Sequence, residues 1–228
     1  MAVAELYGLS GRTPLLTVMA QRGIDFLVSQ QTPGSGFGLS KGAPPDALTT
    51  AWAVMALKSA KISELSFPAS AFEGAGKWFD SVTDGKTHRV AMKASTGGEG
   101  PEYSTKALAC ALISRILMGG AASDSHIAGG GKLLREAPPR RGKAGELDLD
   151  TLYFGTLASF QLGGEVWAAW NPAMNEALVP SQVRSGCASG SWNPEGPGKG
   201  KGRICATALN VLSLEIYYRY GRTLGRDK

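Results

Sequence analysis

The run LDLDT (147–151) places two carboxylates, Asp148 and Asp150, one residue apart. Neighbouring acids can tune one another for proton transfer, and an aspartate at a helix start can equally cap it. Three cysteines (Cys110, Cys187, Cys205) lie far apart with no CxxC spacing. That count argues against a disulfide framework and suits a reducing compartment. The two histidines, His88 and His126, fall in a loop and near a helix start. Nucleophilic catalysis would need a Ser or Cys beside a base, yet no GxSxG elbow and no GCGEQ-type thioester run occurs. The GKGKGR run at 198–203 lacks the spacing and the closing Ser/Thr of a phosphate-binding Walker loop.

Helices must position these groups. Four segments open on a small or polar residue and a threonine, then continue rich in Ala and Leu: 46–61, 103–120, 148–164 and 205–221. Thr49, Thr105, Thr151 and Thr207 mark their register, with room for two helices and their loops in each repeat. Being apolar around most of their circumference, they are expected to be inner helices, buried on all sides. Segments 14–30, 69–82, 123–136 and 165–182 are more amphipathic and are expected to cover them. In the first, Leu16, Met19, Gly23, Phe26 and Leu27 recur at helical spacing, which predicts the buried face. Thr13 before Pro14, and Pro68 before Ala69, read as helix starts. The expectation is therefore an all-α chain of repeated inner/outer helix hairpins. Residues 1–222 make one repeat domain and 223–228 a tail. The opening AVAELYGLSGR looks like the end of another inner helix, so the chain is expected to start inside a repeat of a longer protein.

Two covering helices run into similar loops, RGIDFLVSQQTPGSGFG (22–38) and ALVPSQVRSGCASGSWNP (177–194). Each has a glutamine, a short spacer and Gly-x-aromatic or Gly-Ser-Trp. This resembles the QW-type motif of the terpenoid cyclase and protein prenyltransferase superfamily. There the glutamine can tie off helix-end backbone groups while the aromatic packs on the next hairpin. Over residues 1–222 the chain looks most similar to bacterial prenyltransferase/squalene-oxidase-repeat proteins. The likeness implies an α/α toroid of parallel inner helices, here an incomplete ring or arc, and it speaks to fold more than to function.

The chemistry of such relatives can be laid against these residues. Class II cyclases protonate an alkene with the middle acid of DxDD; aligned on Asp150-Thr151, Leu149 takes the place of that acid and Leu147 that of the first. Prenyltransferases hold zinc through Asp-x-Cys and a later His; here Leu152 follows Asp150-Thr151, and Cys205 stands at the later helix start with no histidine near it. Neither a metal nor a cofactor is expected.

What remains is a binding surface. Parallel inner helices would gather their N-termini, around Asp46, Tyr103, Asp150 and Cys205, at one rim receptive to an anion. Lys199, Lys201 and Arg203 would add positive charge, and Trp52, Tyr153 and Phe154 would either line an apolar pocket for an isoprenoid-like amphiphile or fill the core. The preferred expectation is a non-catalytic binding or scaffolding domain, with a protein partner or other domains of a longer chain; the alternative is a degenerate cyclase or prenyltransferase-type enzyme. The charge of +5 sits in loops with no interleaved aromatics, so nucleic acid is not expected. No apolar run spans a bilayer and no leader is visible, which leaves the cytoplasm as the default.

Overall fold

The computed structural model describes residues 1–95, 100–140, 148–194, 200–219 and 221. Leu147, Lys143, Lys199 and the 223–228 tail lie outside the described residues. Among the described residues ten α-helices follow in order: α1 (Ala2–Leu9), α2 (Pro14–Ser29), α3 (Ala47–Ile62), α4 (Ser70–Ser81), α5 (Thr105–Met118), α6 (Ser125–Glu136), α7 (Leu149–Leu162), α8 (Gly164–Leu178), α9 (Gly202–Leu214) and α10 (Ile216–Arg219), with a 3₁₀ turn at Val179–Ser181. Among the described residues there is no strand, only isolated bridges such as Gln31–Phe37 and Ala91–Tyr103. The expected all-α class is what the chain adopts.

The odd-numbered helices up to α9 pack in sequence, α1 on α3, α3 on α5, α5 on α7 and α7 on α9. Of the covering helices, α4 lies against α3 and α5, α6 against α5 and α7, and α8 against α7 and α6. The chemistry of the row explains its position. In α5 every residue from Ala107 to Ser114 is buried, and α7 is buried over nearly its whole length. Alanines at Ala107, Ala109 and Ala111 keep α5 narrow, so larger neighbours close in from both sides. The covering helices bury single stripes instead: Ala71, Gly74, Ala75, Trp78 and Phe79 on α4, and Ile127, Gly130, Gly131 and Leu134 on α6. Those are the three- and four-residue spacings of one helical face. The glycines of α6 admit neighbours too close for a side chain; a Cβ on Gly130 would sit 3.0 Å from Leu112.

Side-chain caps start the central helices. Asp46, Ser104 and Asp148 each accept from a backbone amide three residues on, at Thr49, Ala107 and Thr151. Thr49 and Thr151 thus share one register, whereas Thr105 is the first residue of α5.

Three expectations need correcting. The buried face of α2 is Ala20 and Ile24, backed by half-buried Leu16, Leu27 and Val28, while Met19, Gly23 and Phe26 face solvent. The last inner helix begins at Gly202, so Cys205 lies inside its first turns rather than at its start, and the helix ends at Leu214 before a short α10. Finally, the last inner helix is not buried on all sides: Ile204 and Val211 on α9 are exposed, because no covering helix follows it among the described residues. Thr13 does stand at the N-cap of α2 with Pro14 first in the helix, as expected, although its side chain makes no capping hydrogen bond.

Candidate functional site

The starts of α5, α7 and α9 are stitched together by ions. Lys106, in the first turn of α5, donates from Nζ to Asp148 Oδ2 at 2.5 Å and lies 4.0 Å from Asp150 Oδ2. Lys201, just before α9, donates to the same Asp150 oxygen at 2.5 Å. Two lysines and two aspartates therefore alternate across three helix starts, which places those starts at one end of the row. Asp148 also caps α7 through the Thr151 amide. Burial pushes its carboxyl up, but the Lys106 ammonium and the Thr151 amide outweigh that and hold it below the usual carboxylate range. For Lys106, burial pulls the ammonium down, while the bond to Asp148 and the charges of Asp148 and Asp150 carry it above its ordinary value. Asp150 is buried, with its side chain only 7% exposed, so its charge is met by lysine rather than by water.

The starts of α5 and α7 are thus neutralised from within. Of the cations expected to meet an anion, Lys201 is paired with Asp150, whereas Arg203 donates to the neutral hydroxyl of Ser191 at 3.0 Å and keeps its charge. At α3 both oxygens of Asp46 accept from Thr49, one from its amide and one from its hydroxyl. Cys205 is a half-buried free thiol, and no group of three His, Cys, Asp or Glu side chains suited to a metal occurs among the described residues. Deeper, beneath the ion row, Cys110 is fully buried; that burial, then the charge of Asp150, pushes its thiol well up, so it stays protonated at neutral pH.

Trp52, Tyr153 and Phe154 do come together. The Trp52 ring stacks on Tyr153 at 5.4 Å and meets Phe154 edge-on at 5.0 Å. Trp52 comes from α3 and the other two from α7, so their rings meet although α5 lies between those helices in the row. Tyr153 and Phe154 have no solvent-exposed surface and Trp52 is half-buried. Contacts of this kind add about 0.5–1.5 kcal/mol per pair beyond area burial. The aromatic group packs on itself.

Tyr103 sits apart from this cluster. Its hydroxyl donates to Asp84 Oδ2 at 3.4 Å, and the Arg89 guanidinium stands 5.2 Å from its ring centre. Hydrogen bonds from the Thr87 amide and hydroxyl and the Lys86 amide hold the Asp84 carboxyl below its ordinary value. Arg89, Tyr103, Ser104 and Leu108 line a surface cavity of about 260 Å³.

The two glutamine–aromatic loops form matching locks. Gln31 Nε2 donates to the carbonyls of Ser35 and Ala71, while Phe37 is buried and its amide donates to Thr50 Oγ1 at 2.9 Å. In the second loop Gln182 Nε2 donates to the Gly190 carbonyl, and the Trp192 amide donates to Thr207 Oγ1 at 3.1 Å. Trp192 adds an indole bond to the Leu178 carbonyl. Both loops fasten their aromatic to a threonine of the next row helix.

Of the groups in this region, Lys106 and Arg89 escape sequence reasoning. Lys106 follows a capping serine, where basic residues are ordinarily unfavourable, and that misplaced charge is the signal that could have flagged it.

No family model matches the chain, and no curated protein matches it.

Proposed function

We propose that the chain is a non-catalytic helical repeat domain that works by binding or scaffolding. Its hairpins are read as an α/α-toroid-like arc related to the terpenoid cyclase and protein prenyltransferase superfamily. The paired glutamine–aromatic locks and the row of buried helices support that architecture. The functional reading rests on one observation above all: the first hairpin carries bare apolar stripes. On α1, Val3, Leu6 and Leu9 are exposed, and on α2 so are Leu15, Val18, Met19 and Phe26, with Leu15 at 82% and Phe26 at 66%. Their spacing draws one stripe along each helix. On α5 and α7, in the middle of the row, such faces are covered by neighbouring helices, and large uncovered apolar surface marks an interaction site.

The occupant that fits is an amphipathic helix or helical hairpin of a protein partner or another domain, since helix-on-helix packing is how the central row helices α5 and α7 are buried. The rim adds support from the opposite direction. Asp148 and Asp150 are paired with lysines, Asp46 is bound to Thr49, and Trp52, Tyr153 and Phe154 pack on one another, so these residues leave neither a free carboxylate pair nor an open apolar pocket between them. An isoprenoid-like ligand is the weaker reading for the same reason.

Photo-crosslinking in cells tests it. A photoreactive residue in place of Leu15 or Phe26 is expected to trap a discrete adduct. The same residue at Glu165, exposed on α8, is expected to trap none. Equal, diffuse labelling from all three positions would overturn the assignment.

A further inference from the structure

The chain's two histidines, 38 positions apart in sequence, face one another. His88 Nδ1 and His126 Nδ1 are 3.3 Å apart, with the rings inclined at 75°. We propose that this pair is a binding site for a tetrahedral transition-metal ion of the zinc type, held by the two Nδ1 atoms. Water or a further exogenous ligand completes the shell, because no third His, Cys, Asp or Glu joins them among the described residues.

Three observations carry it. The separation is the first: two imidazole nitrogens about 2.0–2.1 Å from a tetrahedral ion stand roughly 3.3 Å apart. The backbone is the second. His88 holds φ at +59°, in the left-handed region that side chains other than glycine rarely occupy. Its amide donates to the Asp84 carbonyl, and the Asp84 amide donates to the Arg89 carbonyl, so the loop is clamped in that conformation. Strain of this kind concentrates where a side chain must be aimed. The third is the seat. Gly129 on α6 leaves room for the ring: a Cβ there would lie 2.1 Å from His88 Cδ2. His126 stands on the same helix, in its first turn, with its amide bound to the capping Asp124. Both rings are half-buried, so an ion can reach them from solvent. Bound there, it would fasten the loop between α4 and α5 to α6.

The test uses tag-free full-length chain with Cys187→Ser, because Cys187 is an exposed free thiol that binds such ions by itself. Calorimetric titration with Zn²⁺ is expected to give one saturable site per chain. Co²⁺ is expected to give the intense visible bands of tetrahedral coordination. His88→Ala and His126→Ala are each expected to weaken binding at least tenfold and to abolish the rise in melting temperature that Zn²⁺ produces. Circular dichroism of the apo-variants verifies that they fold; should His88→Ala fail to fold, His88→Asn, which tolerates the left-handed backbone, replaces it. Absence of a saturable site, or affinity unchanged in either single variant, would overturn the proposal.

Discussion

Removing the Asp148 carboxylate should cost the chain far more than a surface charge would. Asp148→Ala deletes the cap of α7, worth about 1 kcal/mol. It also deletes the partner of Lys106, and hydrogen bonds to charged groups contribute about 1.5–3 kcal/mol. The two side chains keep 21% and 26% of their surface in water, so screening calls for the low end or less, about 1 kcal/mol. Together the expected loss is about 2 kcal/mol. Lys106→Met retains the packed stem and removes the ammonium, for an expected loss of about 1 kcal/mol. The double variant should be no worse than Asp148→Ala, leaving a coupling of about 1 kcal/mol. Urea unfolding of the four proteins at low and at high salt measures it. A coupling under about 0.3 kcal/mol, or an Asp148→Ala variant within about 0.5 kcal/mol of the parent, would refute the claim that the rim is locked by its own ions.

The same pair sets a pH window. Asp148 has its folded value lowered, so its contribution is complete above the unfolded carboxylate value and is lost as pH falls through the folded one. Lys106 is raised, so its contribution is complete below the unfolded lysine value and is lost as pH climbs through the folded one. Denaturation midpoints should therefore fall in acid and in strong alkali, and the acid fall should shrink in Asp148→Asn. Gly155→Ala should destabilise by about 1–3 kcal/mol, because its Cβ would meet buried Trp170 at 2.3 Å; a neutral result in urea unfolding would mean that the α7–α8 seam is loose. Thiol alkylation of native protein should label exposed Cys187 quickly and spare Cys110 until the chain unfolds, and mass spectrometry of the adducts reads the order.

Much of the helical layout was legible because its physics is local. Apolar periodicity separated the row helices from the covering ones, and the capping aspartates sat where the threonine-led starts put them. Proline and glycine marked most helix ends to within a few residues. Legibility failed where a choice depended on neighbours. On α2 two apolar stripes compete, one through Met19, Gly23 and Phe26 and one through Ala20 and Ile24, and periodicity cannot say which meets the row. The row took the smaller pair, which lets α2 approach closely and leaves the larger side chains bare. At the rim, the helix starts and the lysines of the last loop were each visible in sequence, and adding them gave a positive mouth. Their sum was misjudged because Lys106, Asp148, Asp150 and Lys201 come from three helix starts, and only their juxtaposition shows that they cancel. Trp52, Tyr153 and Phe154 were likewise identifiable as a group, while their mutual packing required the fold. The pairing of His88 with His126 had no sequence signal, since their spacing matches no helix or metal-ligand pattern.

Equilibrium titration with a fluorescent farnesyl diphosphate analogue tests most directly whether the rim is closed on itself. Parent protein is expected to show only shallow, non-saturating binding, unchanged by Lys201→Glu with Arg203→Glu. A saturable one-to-one site that disappears in that variant, with its fold intact by circular dichroism, would contradict the account and return the chain to the ligand-pocket reading.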